Sequence, residues 1–419
     1  MSQIRVSTLA NGLRVATDPM DSVETASVGV WVEAGSRYEA AATSGVSHFL
    51  EHMVFKGTRK RDARAIAEEI EAVGGHLNAH TSREYTAFYA KVLKEDVALA
   101  VDIIADILQE PTLDADELGR ERTVIMQEIM QAQDTPDDII FDRFQETAFP
   151  GQPLGRPVLG APDTIEAMSR DSLSGFMRRH YGAARMILAA AGRVDHEAVV
   201  AMAERAFDRL PPEMPTEREA ARYRGGDFRE ERDLEQVHLV LGFEGVGYRD
   251  PDFYALSVLS TLLGGGMSSR LFQEIREKRG LVYSIYTFPS SYSDSGVFGI
   301  YAGTGEDEVG ELVPLVCDEL VKVRDTIAET EMERARAQLK AGLLMSLEST
   351  SSRCEQLARQ LMVFGRPLPT AESVGRIEAV DLASVQAAAR RLFSSPPTMA
   401  TIGPVERVLP YGDVVDRLR

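Results

Sequence analysis

The chain has 419 residues, of which 44% are hydrophobic and 26% charged, and this is more chain than one ordinary hydrophobic core organises. Its 46 Lys and Arg residues against 65 Asp and Glu residues give a net charge of −19, which argues against a nucleic-acid partner and favours cationic ligands such as basic peptides. Its two cysteines, Cys317 and Cys354, exclude a cysteine-based zinc site and argue against a disulfide scaffold.

The N-terminal stretch predicts a strand, a turn at Asn11-Gly12 and a second strand. It contains neither the apolar core of a signal peptide nor the Arg-rich, acid-poor pattern of a transit peptide. No apolar run in the chain approaches the roughly 20 residues that a membrane-spanning helix needs. We therefore expect a bacterial cytoplasmic protein without a membrane span, although a processed protein of the mitochondrial matrix would present the same pattern.

A predicted helix near residue 50 carries the motif His-x-x-Glu-His. It follows a predicted buried strand over 25–34 and is preceded by Gly45. His48 and His52 are four residues apart and so share one helix face, where two imidazoles can hold one zinc ion. Glu51 is close enough in angle to act as a general base on a water held by the metal. The order reverses the more common H-E-x-x-H helix and is the inverzincin signature.

A second helix, capped by Asp62, leads to a hairpin-like pair of strands over 76–92. This hairpin contains a rival metal pair, His76 and His80. On a strand, side chains four residues apart are separated by about 13 Å, which is too far for them to share one ion. We therefore interpret both histidines as ordinary strand residues.

Two further helices are predicted over 94–109 and from about residue 114 onward. The second contains Glu121 and Glu128, which are two turns apart and share one face. A carboxylate on a mostly buried face needs a partner, and a metal ion would be such a partner. Two solvated glutamates are the simpler interpretation, and the spacing alone favours it.

The next helix carries Asp138 and Asp142, which are four residues apart on one face. They form either a solvated acidic surface or a subsite for a basic side chain. Beyond them, the stretch 213–228 is polar and rich in helix and strand breakers, which predicts a linker between two halves of the chain.

The second half repeats the start of the first without its metal motif. The strand pattern at 237–243 resembles the first buried strand, and a helix over 252–263 stands where the H-x-x-E-H helix stood. Three glycines at 264–266 then predict a flexible turn. Arg276 and Tyr283 follow, and both could donate hydrogen bonds to a substrate carbonyl. Taken alone, Arg276 is better explained as a salt-bridged arginine and Tyr283 as a half-buried tyrosine.

Over nearly its whole length the chain resembles the pitrilysin-type (M16) metallopeptidases, most of all the β subunit of mitochondrial processing peptidase and its bacterial homologues. The motifs that carry the resemblance are H-x-x-E-H at 48–52, E-R-x-V-I-x-x-E at 121–128 and Asn-Ala at 78–79. It implies an α+β fold of two homologous α/β domains, each a mostly antiparallel sheet with helices packed on it, together half of a clamshell. The implied bounds are 1–212 for the zinc-binding domain, 213–228 for the linker and 229–419 for the domain without metal.

The resemblance also implies roles for single residues. It makes His48, His52 and Glu128, which lies 76 residues after His52, the ligands of one zinc ion per chain, with Glu51 as the general base. Glu121 becomes the carboxylate that orients a ligand histidine. The remaining counterparts are Asn78 and Ala79 on the substrate-binding strand, Phe55 in the pocket after the cut, Asp138 and Asp142 for an arginine before the cut, and Arg276 and Tyr283 near the substrate carbonyl. The family subunit has Glu at the first acidic position, so Asp138 departs from its pattern.

The implied function is a zinc-dependent endopeptidase that hydrolyses extended or unfolded peptides near basic residues. Relatives of this size pair two chains, so a homodimer is expected, with a heterodimer as the lesser alternative. A non-catalytic peptide-binding subunit, like the core proteins of respiratory complexes, is the main rival, and the complete set of zinc residues speaks against it. A metal-dependent hydrolase of a non-peptide substrate is a third interpretation, which assays of small esters and amides would separate.

Overall fold

The structure, a computed structural model, describes residues 4–210 and 218–419. The strands of these residues form two sheets, whose members we number in chain order. They are β1 (Arg5–Thr8), β2 (Arg14–Pro19), β3 (Thr25–Val32), β4 (His76–Thr81), β5 (Thr86–Leu93), β6 (Met186–Gly192), β7 (Gly226–Glu231), β8 (Val237–Gly245), β9 (Val282–Ser291), β10 (Gly296–Thr304) and β11 (Thr398–Gly403).

Helices account for most of the remaining chain. They are α1 (Val46–Val54), α2 (Ala63–Glu71), α3 (Val97–Gln109), α4 (Ala115–Gln133), α5 (Pro136–Ala148), α6 (Pro162–Ala167), α7 (Arg170–His180), α8 (His196–Ala206), α9 (Phe253–Gly264), α10 (Val309–Val323), α11 (Glu329–Ser346), α12 (Thr350–Phe364), α13 (Thr370–Glu378), α14 (Leu382–Leu392) and α15 (Tyr411–Leu418). None of the described helices is both long enough and apolar enough to cross a membrane.

The two sheets have the same topology. Their orders are β1-β2-β6-β3-β5-β4 and β7-β11-β8-β10-β9, so that they match strand for strand once β1 is left aside. In each sheet one neighbouring pair is parallel, β2 with β6 and β7 with β11, and the other pairs are antiparallel. Helix α9 follows β8 as α1 follows β3, as the sequence repeat predicts. The predicted fold class, two homologous halves with mostly antiparallel sheets and packed helices, is therefore confirmed.

One face of each sheet is covered by helices from its own half of the chain. On the first sheet, α1, α3, α7 and α8 bury the larger core of that half. On the second sheet, α9, α10, α14 and α15 do the same. These helices are amphipathic or largely apolar, and the buried apolar area is the main source of their stability.

The other face of each sheet is covered by one helix from the opposite half of the chain. The chain forms two compact units, and α12 belongs to the first whereas α5 belongs to the second. Helix α12 packs on β2, β3 and β6, where Leu357 and Leu361 contact Trp31 and a row of small side chains. Helix α5 packs on β7, β8 and β11, where Phe144 fills the space beside the glycine at 242. Because α5 and α12 occupy equivalent places in the two halves, the exchange is reciprocal.

The predicted linker, 213–228, lies in part outside the described residues, and its last three positions already belong to β7. Strands of the first sheet end at Gly192 and those of the second begin at Gly226. The domain bounds drawn from the sequence remain a prediction.

Candidate metal centre and its surroundings

Helix α1 presents the H-x-x-E-H residues on a half-buried face. Its apolar side chains lie in the core of the first half, because they recur at the spacing of one helix face. The motif residues His48, Glu51 and His52 remain partly accessible. The fully buried apolar residues that hold the helix in place are Val46, Phe49, Leu50, Met53 and Val54.

The start of α1 is fixed by a carboxylate from outside the helix. Gly45 has φ = 91°, in the left-handed region, and a Cβ there would lie 2.8 Å from the carbonyl oxygen of Leu159. The buried Glu39 accepts hydrogen bonds from the main-chain N–H groups of Gly45 (2.7 Å) and Ser47 (2.8 Å). It thereby satisfies donors that a helix start leaves free. Burial raises the pKa of Glu39 to about 7, although these bonds act in the opposite direction.

Three potential ligand side chains converge beside α1. Among the described residues, His48, His52 and Glu128 form the one group of three with ligand atoms all within 4.8 Å of one another. Glu128 Oε2 lies 3.7 Å from His48 Nε2 and 3.6 Å from His52 Nε2. Ligands in a tetrahedral zinc site with bonds of about 2.0–2.1 Å are separated by about 3.4 Å. The arrangement therefore has the size of a zinc site with three protein ligands.

The electrostatics of these atoms also suit a cation. Glu128 Oε2 is buried, and no donor of the described residues is within hydrogen-bond distance of it. A buried carboxylate oxygen without a partner is costly, and a metal ion between it and the two imidazoles would remove that cost. Burial, aided by the neighbouring His52, lowers the pKa of His48 to about 4. His48 is therefore neutral at physiological pH, and the neutral ring is the form that binds metals.

Glu121 sets the orientation of His52. Its Oε2 lies 3.0 Å from His52 Nδ1, and its Oε1 lies 2.7 Å from Lys56 Nζ. Burial alone would raise the pKa of Glu121, but the contacts with Lys56 and His52 outweigh it and hold the pKa below its usual value. The ionised carboxylate can only accept, so His52 Nδ1 is the donor, and the neutral tautomer with this donor has its lone pair on the Nε2 that faces Glu128.

Glu51 is held by a residue of the neighbouring strand. Thr81, the last residue of β4, donates its hydroxyl to Glu51 Oε2 at 2.6 Å. Burial raises the pKa of Glu51 and the charge of Glu128 adds to the rise, whereas Thr81 and His52 counteract it. A carboxylate with a raised pKa that remains partly accessible has the properties required of a general base.

The strand that carries Thr81 is an edge of the first sheet. β4 pairs with β5 on one side only, so its other edge offers free main-chain groups. Asn78 and Ala79 lie in the middle of β4, and the Asn78 side chain accepts a hydrogen bond from the N–H of Ala79 at 2.8 Å. Phe55, just beyond α1, is half-buried, with its ring centroid 6.4 Å from that of Phe88.

Arg276 and Tyr283 lie together in the second half. Arg276 is in a π-helical stretch, Phe272–Glu277, and Tyr283 follows on the edge strand β9. The Arg276 guanidinium lies 4.8 Å from the centroid of the Phe272 ring and 5.4 Å from that of Tyr283. Tyr283 is 79% exposed, which is unusual for a tyrosine and excludes the half-buried interpretation. This cation–π pair positions both side chains at the surface of their unit.

Asp138 and Asp142 lie on the first two turns of α5, and they belong to the second unit. Asp138 is exposed and Asp142 is half-buried. Burial raises the pKa of Asp138, and the negative charges of Asp142 and Asp137 add to the rise. Such mutual repulsion means that a cation near this surface is favoured.

Three residues of this site were not predicted from the sequence: Glu39, Lys56 and Thr81. Lys56 follows His52 by four residues, and that spacing was a usable signal for a side chain on the same face. Alternation along β4 places Thr81 on the same sheet face as Ala79, but only the packing of α1 on that face brings it to Glu51. Glu39 lies before α1 and is separated from it by a loop, and no local sequence pattern predicts its contact with the start of that helix.

Comparisons with known proteins agree over both halves of the chain. Residues 14–162 match the profile described as Insulinase (Peptidase family M16), and residues 167–339 match that described as Peptidase M16 inactive domain. An uncharacterized zinc protease of Rickettsia bellii is 42% identical over 95% of this chain and 97% of its own length. A probable mitochondrial-processing peptidase subunit beta of Arabidopsis thaliana is 40% identical over 98% of this chain and 80% of its own length.

Solved structures support the fold. A protease from Helicobacter pylori superposes with a TM-score of 0.89 at 24% identity, over 96% of this chain and all of that one. The two profile matches, the relatives at about 40% identity and the three converging ligand side chains lead to one conclusion. The chain belongs to peptidase family M16, and its sequence relatives bear the names of zinc proteases and of a processing-peptidase β subunit.

Proposed function

We propose that the protein is a zinc-dependent endopeptidase that hydrolyses extended or unfolded peptides near basic residues, in the manner of a processing peptidase. The observation that carries the proposal is the convergence of His48, His52 and Glu128 next to Glu51 on one half-buried face. Three ligands beside a potential base are what hydrolysis at a metal requires. Names of relatives add support, since zinc proteases from several bacteria match nearly the full chain.

In this proposal His48, His52 and Glu128 hold one zinc ion per chain. Zinc bound there would supply Lewis-acid chemistry, making a water molecule more acidic and a peptide carbonyl more electrophilic. Glu51 accepts the proton of the attacking water on a carboxylate oxygen and later gives it to the nitrogen of the leaving amine. Glu121 keeps the His52 ring in the tautomer whose Nε2 is free, and Lys56 keeps Glu121 ionised.

The substrate is proposed to bind as an added strand. The free edge of β4 around Asn78 and Ala79 can pair with an extended main chain, which selects unfolded segments over folded proteins. Phe55 is proposed to line the pocket for the residue after the cut. Asp138 and Asp142 are proposed to favour an arginine before it, because two neighbouring carboxylates gain from a guanidinium partner.

Arg276 and Tyr283 are proposed to donate hydrogen bonds to the substrate carbonyl or to its oxyanion. Tyr283 is exposed, Arg276 is partly accessible, and the contact between them uses the face of the tyrosine ring, which leaves their hydrogen-bond donors available to a ligand. We propose a homodimer in which the Arg276 and Tyr283 of one chain serve the zinc site of the other, with a heterodimer as the alternative. The cytoplasm is the location we propose.

The central experiment compares wild type with Glu51→Gln on an arginine-containing, presequence-like peptide, with zinc measured in both. Wild type is expected to cut near the arginine, and Glu51→Gln to keep its zinc and lose activity, because an amide cannot take the proton. A variant on the neighbouring helix, Glu71→Gln, controls for loss of one carboxylate. In the same assay, Asp142→Asn is expected to raise KM for the arginine peptide but not for its alanine analogue.

The second candidate is a non-catalytic peptide-binding or structural subunit. The match of residues 167–339 to a profile described as an inactive domain is the observation in its favour. The segment 167–339 does not contain the H-x-x-E-H helix, which lies in the segment that matches the Insulinase profile. If wild type bound zinc and peptide but cut no member of a mixed peptide library, even with candidate partner chains added, this second function would replace the first.

A further inference from the structure

The hydrogen bond between Thr81 and Glu51 joins β4, the edge strand of the first sheet, to α1, the helix of the H-x-x-E-H motif. We propose that Thr81 is a positioning residue, whose hydroxyl holds the Glu51 carboxylate in the orientation needed to take a proton from water. This inference rests on the proposed peptidase function and adds a residue to it. It is argued from the placement of β4 and α1 and from the 2.6 Å contact between them.

The position of Thr81 follows from the hairpin. Thr81 is the last residue of β4 and pairs directly with Thr86, the first residue of β5, across a turn. Successive side chains on a strand point to opposite faces, so Ala79 and Thr81 share the face on which α1 packs. The hairpin therefore delivers the hydroxyl to one place beside α1, with little freedom to move away.

The position of Glu51 is less constrained by its own helix. A glutamate side chain has several rotatable bonds, and holding it in one rotamer costs conformational entropy. A donor that is already fixed by the sheet reduces this cost, because only one partner has to be ordered. With Oε2 bound to Thr81, rotation of the carboxylate is restricted and Oε1 is the oxygen left to receive a proton.

The contact also couples two events of the proposed reaction. β4 is the strand proposed to bind the substrate. Thr81, three residues after Asn78 on this strand, contacts the proposed base Glu51. A peptide that pairs with this edge therefore meets a base held by the same strand. Displacement of β4 by a poorly fitting peptide would release Glu51 from its donor.

The contact itself is tested by a double-mutant cycle on the full-length, metal-free protein, which needs no substrate. Thr81→Val is expected to lower the urea midpoint in the wild-type background, because a half-buried carboxylate loses its donor. In the Glu51→Ala background, the same change is expected to leave the midpoint unchanged or raise it. Equal losses in both backgrounds would overturn the proposal, since Thr81 would then act through packing alone.

The positioning role is tested by kinetics of the zinc-loaded protein. Thr81→Val is expected to lower kcat roughly tenfold to a hundredfold, the range for loss of a hydrogen bond to a charged group, with KM changed less than twofold. Thr81→Ser, which keeps the hydroxyl, should restore most of kcat. Thr123→Val makes the same exchange on α4, where the hydroxyl donates to the carbonyl oxygen of residue 119 one turn earlier, and should behave as wild type.

The outcomes separate this inference from the proposed function. A wild type that cleaves no peptide removes the proposed function, and Thr81 as an aid to catalysis falls with it, whereas the cycle still decides whether the contact exists. An active wild type whose Thr81→Val variant keeps its kcat, or whose Thr81→Ser variant is as impaired as Thr81→Val, refutes the positioning role alone. Zinc content, measured in every variant, excludes metal loss as the cause of a lower kcat.

Discussion

The two halves of the molecule share one topology but differ at the helix that follows β3 in the first half and β8 in the second. In the first half this helix, α1, carries two histidines and a glutamate on an accessible face. In the second half its counterpart, α9, has no histidine or acidic residue, and eight of its twelve residues are buried. The same fold thus occurs with a helix that has a polar face, α1, and with a helix that is largely apolar, α9. The comparison teaches that the candidate metal-binding residues are additions to this fold and not a condition for it.

The largest effect should come from removing the acidic ligand of the first half. Glu128→Gln is expected to lower bound zinc to below about a tenth of one ion per chain and peptidase activity by at least about a thousandfold, because the site loses its one anionic ligand. Metal analysis after dialysis and peptide cleavage would measure both. Glu117→Gln, on the same helix α4 but paired with Arg120 and outside the group of converging ligand atoms, should keep its zinc. Full activity in Glu128→Gln would refute the assigned ligand set.

A smaller effect is expected from buried glutamates that pair with a lysine, of which the described residues of each half contain one. Glu121→Ala should weaken zinc binding by roughly ten- to a hundredfold, because His52 loses its acceptor. Glu319→Ala removes a comparably buried glutamate that pairs with Lys322 in the second half, and it should leave zinc affinity unchanged. Competition with a chromogenic chelator would give both affinities. Equal losses in the two variants would show that Glu121 acts on general stability and not on His52.

The exposed tyrosine of the second half should give a moderate effect. Tyr283→Phe is expected to lower kcat about tenfold without change in zinc content, since a donor to the developing oxyanion is lost while the ring contact with Arg276 persists. Tyr286→Phe on the same strand is the control, because the Tyr286 ring packs against Tyr301 instead. Steady-state kinetics at saturating peptide would separate kcat from KM. An unchanged kcat in Tyr283→Phe would show that the Tyr283 hydroxyl does not take part in catalysis.

The smallest effect should be that of zinc removal on the fold. Because the second half holds the same topology without any metal ligands in α9, chelation is expected to leave far-UV circular dichroism unchanged. The melting temperature should fall only by the linkage contribution of one bound ion. Loss of secondary structure on chelation would contradict the view that the ligands are additions to a self-sufficient fold.

Helix α1 and the hairpin of β4 and β5 could be predicted because their signals are local. His48 and His52 share a helix face in any amphipathic helix, and period-two alternation indicates β4 and β5. The choice between Glu121 and Glu128 could not be made locally, since seven residues place both on one face. Packing separates them, with Glu121 behind His52 beside Lys56 and Glu128 in front of both rings. Only the family resemblance anticipated that order.

The contacts that depend on two distant elements were beyond sequence reasoning. Thr81 reaches Glu51 because α1 packs on β4, and Glu39 reaches the start of α1 across a loop. The exchange of α5 and α12 is of the same kind. Their apolar stripes predict that each helix covers a sheet, but nothing in the stripe states which sheet it is.

The exchange of α5 and α12 has a consequence for folding during synthesis on the ribosome. The first sheet is complete once β6 has been made, yet the helix that covers its second face, α12, emerges more than 150 residues later. At about 5–20 residues per second, Trp31 and its apolar neighbours wait roughly 8–30 s for their cover. The nascent first half therefore passes through a period of exposed apolar surface, during which we expect it to depend on chaperones. A fragment that ends between the halves would remain in that state permanently.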